Sequence, residues 1–389
     1  MGIYTEYLDR ALNFQQLTAE RKKQLQRISE KREGRDILVY AADLTEGKAA
    51  ARAPISIIYS DLLPISDQLA NLGGKALDLI LETPGGSGEI AEDIVRLIRG
   101  KYDDVAVIIP GWAKSAGTIM AMAADEILME PMSSLGPIDA QLSWQGKVFS
   151  AGALLEGLEK IKSEVQQTGA LNRAYIPILQ GISPGEIQSA ENAQNFAKVL
   201  VTDWLTRYKF KNWDRHSSND NKVTPDERKQ RAEEIATVMT DHGRWLTHGR
   251  SIKLDDLEKM RLKITDYSKN PELADTIRRY YTLLQMTFAS NIYKVFETPK
   301  SQIYRYLQQN VPPPQTQGVT DVALVESICQ KCNTRHRVQA NLGKKAPLQE
   351  GCIAFPTNNK LPCNGCGAEI DLSEARRQIE AQSKKLVVT

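Results

Sequence analysis

The chain has 389 residues, 41% hydrophobic and 25% charged, which is ordinary globular usage. That length is too great for one small domain and suits one large domain with an appendage. A net charge of +2 supplies no overall field for gathering nucleic acid or a membrane surface.

The opening residues, MGIYTEYLDRALNFQQ, lack the basic start and apolar core of a secretory signal, and no Ser or Thr stands where a myristoylation signal needs one. No apolar run reaches the roughly eighteen residues of a membrane span; the longest candidate, Val105 to Ala124, is broken by Pro110 and Lys114. The expectation is a cytoplasmic protein with no membrane partner.

Residues 4 to 33 carry a helical pattern with many charges. Tyr4, Leu8 and Leu12 form one stripe, which favours a helical arm over residues 1–35 packed on a neighbouring subunit. Strand signals follow at Asp36 to Ala41 and Ile55 to Tyr59, with a loop from Leu44 to Ala53. Leu62 to Leu72 is spaced as a helix and stops at Gly73-Gly74.

The next block alternates strand and helix. An apolar run, Leu77 to Leu81, breaks at Thr83-Pro84-Gly85-Gly86-Ser87-Gly88. A helix follows with Ile90, Ile94, Leu97 and Ile98 on one face. A second run, Val105 to Ile109, passes through Pro110-Gly111 to Ala113-Lys114-Ser115-Ala116-Gly117 and a helix of small residues. A third run, Glu126 to Met129, ends at Pro131. This order predicts a right-handed α/β winding with two turns on one edge.

Both turns have chemical content. Gly85 and Gly86 let backbone approach a ligand and take positive φ, with N–H groups free to face an anion. Ser115 stands at a helix N-terminus, where the dipole favours developing negative charge and the N–H of Ala116 lies outside the helix ladder. A hydroxyl beside free N–H donors is the minimum for acyl transfer. Either half alone reads as a Gly-rich turn or an N-cap serine; the two together, in this order, favour a nucleophilic site.

Beyond Asp139 the alternation weakens. Leu142 to Phe149 reads as a strand pair turning at Gln145-Gly146, and Leu154 to Gln167 as a helix. Ser183-Pro184-Gly185-Glu186 is a capping box opening a helix to about Lys209, and Thr224-Pro225-Asp226-Glu227 opens another to about Met239. Residues 211 to 223 are loop-like. Asn270 to Glu297 reads as one long helical stretch. The sequence QQNVPPPQTQG is a linker, placed at 308–320, between a main domain over 36–307 and a small domain over 321–389 that ends in a helix.

Four of the five cysteines lie past the linker as two C-x-x-C pairs, Cys329/Cys332 and Cys363/Cys366. Each pair sets two thiolates on one tight turn, and two such turns supply four soft ligands for one structural Zn²⁺ per chain. Gly365 and Gly367 permit the second turn. The segment looks like a zinc ribbon, although the thirty residues between Cys332 and Cys363 exceed the usual spacing. Disulfides and a redox motif are the alternatives; the expected compartment disfavours the first, and no thioredoxin-like unit accompanies the second. Cys352 and His336 are spare. A domain this small needs such a staple.

The pairing of TPGGS with AKSAGTIMAMAADEILMEPMSSLGPI resembles the Clp-protease/crotonase fold. Within that fold it is most similar to the signal-peptide peptidase branch and the serine dehydrogenase proteinase family, over roughly Asp36 to Asp266. Gly249-Arg250-Ser251-Ile252, followed by Leu254 to Asp266, is similar to the ending of such domains. The resemblance implies an α/β, superhelical ββα core with helical additions. It further implies Ser115 as nucleophile, oxyanion N–H groups from Gly85 and Ala116, a polypeptide substrate and a homo-oligomer. Signal-peptide peptidases usually work at membranes, and this chain departs from them there.

The base is open between histidine and lysine. Asp139 stands where Clp-type peptidases carry their histidine, and their aspartate would fall near Gly249, beside His248. Lys160 and Lys162 stand at the distance of the signal-peptide peptidase lysine; Arg173 is in range but stays protonated. Lys114 adjoins Ser115 and should point away from it. His242 and His248 also suit ordinary loop positions. We assign His248 as base with Asp139 as orienting acid.

The leading function is a serine endopeptidase. It would use no ATP by itself, because no G-x-x-x-x-G-K-[ST] loop is present. A crotonase-like acyl-CoA enzyme is the runner-up. A third reading is a catalytically weak scaffold whose ribbon docks protein or nucleic acid through Lys331, Arg335, Arg337, Lys344 and Lys345.

Overall fold

In the computed structural model, which describes residues 2–144, 147–216, 220–307, 322–383 and 385–388, the apolar runs become strands whose alternate side chains go to opposite faces of one sheet. The strands are β1 (Asp36–Ala42), β2 (Ala76–Glu82), β3 (Asp104–Ile108), β4 (Glu126–Met129), β5 (Thr265–Asp266), β6 (Ile292–Glu297) and β7 (Gln302–Tyr306). Their order is β7-β6-β1-β2-β3-β4-β5. The five from β1 to β5 are parallel, in register Asp36↔Leu77 and Leu77↔Val105, whereas β6 joins β1 antiparallel. Buried on both faces, the parallel strands read as continuous apolar runs.

Leu38, Tyr40, Leu79, Leu81, Val105 and Val107 face one layer of helices, which includes α2 (Gly88–Arg99) and α3 (Ala116–Met122). Ile37, Val39, Ile80, Ala106 and Ile108 face the other, formed by α1 (Phe14–Lys31) and α4 (Pro271–Phe288). This is the expected ClpP-like α/β winding. Ser87 caps α2 through Ile90 N at 3.1 Å, and Gly88 starts it.

Most of the N-terminal helical segment is drawn into the core. α1 packs on α4 of its own chain, burying Leu17, Leu25 and Ile28. Arg21, fully buried, donates through Nε and a terminal nitrogen to Glu297, both at 3.1 Å. Residues 14–31 are thus part of the core, while Tyr4 and Leu8 of the expected stripe stay exposed.

Three other expectations change. The stretch 270–297 is a helix and then a strand: α4 stops at Phe288, Ser290 bends the chain, and Ile292, Val295 and Phe296 extend as β6. Of the run Ile55–Tyr59 only Ile57 pairs, with Gly86, and Tyr59 already starts a 3₁₀ turn. The segment 44–53 includes a short helix, Glu46–Ala50. Strands Gln141–Trp144 and Lys147–Ser150 pair as expected, while their turn at 145–146 and the linker at 308–320 lie outside the described residues.

The chain divides into two units, Met1–Gln308 and Gln309–Thr389. In the second, β8 (Val322–Ile328) pairs antiparallel with β9 (Arg335–Leu342). Its core is small: Val338, Ala340, Leu342, Phe355, Leu361, Leu372 and Val387. A helix over Ser373–Ser383 follows.

Candidate functional site

Two turns meet beyond the C-terminal ends of β2 and β3. Thr83 N donates to Trp112 O at 2.9 Å and Lys114 N to Thr83 O at 3.0 Å, stitching them together. Gly85 has φ +100°, and a Cβ there would lie 2.6 Å from Ser115 Cβ and 2.8 Å from Lys114 O. Only glycine allows that approach. Gly86, at φ +146°, lies against Ile57: a Cβ would fall 2.4 Å from Ile57 N. Ile57 N donates to Gly85 O at 2.7 Å, and Ser87 N to Ile57 O at 3.0 Å.

Ser115 adopts φ 50°, ψ −119°, a conformation that costs an L residue about 1–3 kcal/mol unless its surroundings impose it. They do. Gly117 N donates to Lys114 O at 2.8 Å, and Thr118 Oγ1 lies 2.7 Å from Ala113 O and 2.9 Å from Gly136 O. The half-buried Ser115 side chain does not cap α3, and among the described residues its hydroxyl has no hydrogen-bond partner. The N-cap reading therefore fails. Gly85 N–H is committed to Thr83 Oγ1 at 3.1 Å. The N–H groups of Gly86 and Ala116 have no partner among the described residues. Gly85 is therefore not the expected N–H donor: it provides close approach, and the free N–H groups are those of Gly86 and Ala116.

Asp139 is 1% exposed and gathers two histidines. Its Oδ1 lies 2.6 Å from His248 Nδ1, and its Oδ2 lies 3.0 Å from His242 Nδ1; Gln141 Nε2 also donates to Oδ2 at 3.0 Å. Burial pushes the Asp139 carboxyl up, but the hydrogen bond and charge of His248, with hydrogen bonds from His242 and Ser150, outweigh it and hold the pKa below the ordinary value. Asp241 caps the short helix His242–Trp245, through Arg244 N at 3.0 Å. The segment after His248 is anchored where Leu135 and Ile252 exchange two backbone hydrogen bonds of 3.0 Å. His242 is the partner that residue type alone did not single out.

Residues 3–176 match the family model of the ClpP-like SDH-type serine proteinases. The matched segment holds Ser115 and Asp139. Two uncharacterized proteins of Methanocaldococcus jannaschii are similar. MJ0137 is 27% identical over 207 residues, 53% of this chain and 59% of its own; MJ1495 is 36% identical over 92 residues, 23% and 30% respectively. The chain thus spans less than two thirds of the length of either relative. Among solved structures, a serine-to-alanine variant of the membrane-bound stomatin-specific protease 1510-N is 23% identical (TM-score 0.22; 36% of this chain, 64% of that one). A lysine-to-alanine variant of the same protease with a substrate peptide is 19% identical (TM-score 0.26; 46% and 68%). No helix among the described residues is long and apolar enough to cross a membrane.

The matched segment carries a further buried acid. Glu82, at the end of β2, accepts from Trp112 N at 2.9 Å and Tyr281 OH at 3.0 Å. Burial drives its pKa up to about 8 against those hydrogen bonds. It braces the strand ahead of Ser115, and its signal is a lone acid closing an apolar run. Lys160 and Lys162 lie exposed on the helix Ala151–Thr168, Lys162 bonded to Glu159 at 3.2 Å.

In the second unit the four thiols of Cys329, Cys332, Cys363 and Cys366 lie within 4.8 Å of one another. Cys329 and Cys366 Sγ are 3.6 Å apart, Cys332 and Cys363 Sγ 3.4 Å, and none is in a disulfide. Tetrahedral ligands at about 2.3 Å from an ion stand somewhat under 4 Å apart, so the set fits a metal. Both turns are knuckles: Asn333 N donates to Cys329 O at 2.8 Å and Gly367 N to Cys363 O at 2.9 Å, each residue at positive φ. His336, 3% exposed, places Nε2 3.3 Å from Cys363 Sγ, outside the four-thiol set. Cys352 is not in the cluster. Arg337 faces Glu326 at 3.8 Å, so charge of both signs lies across β8 and β9.

Proposed function

We propose that the chain is a cytoplasmic serine endopeptidase, needing no ATP of its own and working as a homo-oligomer on polypeptide substrates. One observation carries the reading: Ser115 is held in a strained conformation, with its hydroxyl neither capping the helix nor hydrogen-bonded among the described residues. In this reading Ser115 Oγ attacks the scissile carbonyl carbon. His248, whose Nδ1–H donates to Asp139, takes the serine proton on Nε2 as that bond forms. The oxyanion is met by Gly86 and Ala116 N–H groups. His248 then passes the proton to the departing amine as the C–N bond breaks, and water repeats the sequence on the acyl-enzyme. The reading requires His248 Nε2 to come within hydrogen-bond reach of Ser115 Oγ when substrate fills the site; such bonds are often long in free enzymes.

A fluorophosphonate should label wild-type chain at Ser115. Ser115→Ala should lose the label and casein cleavage while changing stability by roughly 1 kcal/mol or less, as its hydroxyl has no partner to lose. Unlabelled wild type that binds acyl-CoA would overturn the reading in favour of a crotonase-like enzyme.

The four cysteines would hold one Zn²⁺ per chain in a structural role, with His336 Nε2–H steadying the Cys363 thiolate. Bound zinc would staple two knuckles around a core too small to stand alone. Metal analysis of fresh protein should find about one zinc per chain, and Cys363→Ser should melt the second unit first. Zinc-free folded protein would overturn the assignment.

A further inference from the structure

Lys114, the residue before the nucleophile, is 8% exposed and is not aimed at solvent. Its Nζ donates to Ser251 Oγ at 2.9 Å, Arg250 O at 3.0 Å and Gly249 O at 3.3 Å. An ammonium has three N–H groups, and here each has an acceptor. The stem runs over Gly136, where a Cβ would lie 2.7 Å from Lys114 Cδ. The gripped segment begins one residue after His248 and ends one residue before Ile252, whose bridge to Leu135 anchors its far end. Gly249 N and Arg250 N otherwise bond only to Thr247, within the same loop.

No carboxylate pairs with Lys114 among the described residues. Burial, then the charge of Lys253, lowers its pKa to about 8. A buried ammonium bonded to two carbonyls and a hydroxyl, with the Trp112 ring centroid 5.2 Å from Nζ and no anion beside it among the described residues, is an expensive way to pack a loop. An apolar side chain would fill the slot at less cost, so the three directed bonds are what the lysine supplies.

We propose that Lys114 is a positioning residue: it ties the Gly249–Ser251 segment to the residue preceding Ser115 and so sets where His248 stands relative to the nucleophile. The inference rests on the peptidase reading of Ser115 and His248.

The test is a double-mutant cycle on the full chain, read as the rate of fluorophosphonate labelling at Ser115. Lys114→Met should slow labelling by ~10²-fold, the scale of a misplacement near 1 Å. In a His248→Ala background the same substitution should change the rate by less than ~2-fold, because nothing is left to position. Ser251→Ala, which removes one acceptor and leaves Lys114 in place, should show the same pattern with a smaller loss, and it carries the test if Lys114→Met fails to fold. Equal losses in both backgrounds, with wild type labelled, would overturn the role of Lys114 alone. A wild type that takes no label at Ser115 would overturn the peptidase reading and this inference with it.

Discussion

Asp139 and Glu297 are both buried carboxylates bonded to two nitrogen-bearing partners or more, yet they are built for different work. Glu297 is wholly buried and is met by the fork of Arg21, by Tyr280 OH at 3.0 Å and by Lys22 at 3.6 Å. Arg21 is wholly buried too and cannot give up its proton, so the group is a fixed strut between α1, α4 and β6. Asp139 is as deeply placed, but its histidines keep 24% and 29% of their side chains exposed, and imidazole exchanges protons near neutrality. Burial of an acid therefore does not mark a site. In the proposed reading, an acid whose partners can lose protons, and still reach solvent, is the one that serves the site.

That contrast can be broken by substitution. The largest effect is expected for Asp139→Asn, which should set His248 in the wrong tautomer. Labelling at Ser115 should fall by ~10³–10⁴-fold with the circular dichroism unchanged. A fall of only a few-fold would make Asp139 a strut like Glu297. Arg21→Met should do the opposite. It leaves a carboxylate buried and unpaired, so urea unfolding should show a loss of about 3–5 kcal/mol, while labelling per folded molecule stays at the wild-type rate. A change in that rate would tie the strut to the site.

A smaller effect concerns Asp139 and pH. The folded-state pKa of Asp139 lies below its ordinary 3.8. Its stabilising contribution is therefore complete above that ordinary value and lost as the pH falls through the depressed one. Thermal melts in neutral and acidic buffers should show wild type losing more stability on acidification than Asp139→Asn. Equal losses would mean that the histidines do not hold this carboxyl ionised.

The winding from β2 to β4 was legible because each run is apolar for five residues or so and each break holds Gly or Pro. Where the sequence misled, tertiary pairing decided. Ile55–Tyr59 is rich in β-branched residues, but only Ile57 finds a partner, in Gly86. Asn270–Glu297 has no Gly or Pro after Pro271, and only the small turn at Ser290 parts the helix from β6. The cysteine turns could be read directly, since each supplies its ligands within four residues. The strain at Ser115 could not, since φ is imposed by Gly85, Thr83 and Thr118 together. What Lys114 meets was hidden for a related reason: strand alternation says it leaves Ser115, and nothing local says that it reaches Gly249–Ser251.

The stitching of Thr83 to Lys114 has a consequence for the order in which the molecule is built. These residues are joined by one strand–helix–strand unit, so the nucleophile turn closes on a modest loop. Asp139 meets His248 across 109 residues, and Lys114 meets Arg250 across 136. Contacts so distant wait on more loop closure, and they form late when a chain refolds. A partly folded chain would thus carry Ser115 already shaped and its proton acceptor still absent. Recovery of labelling should trail recovery of helical signal, and in the proposed peptidase reading that order would keep an unfinished chain from cutting its neighbours.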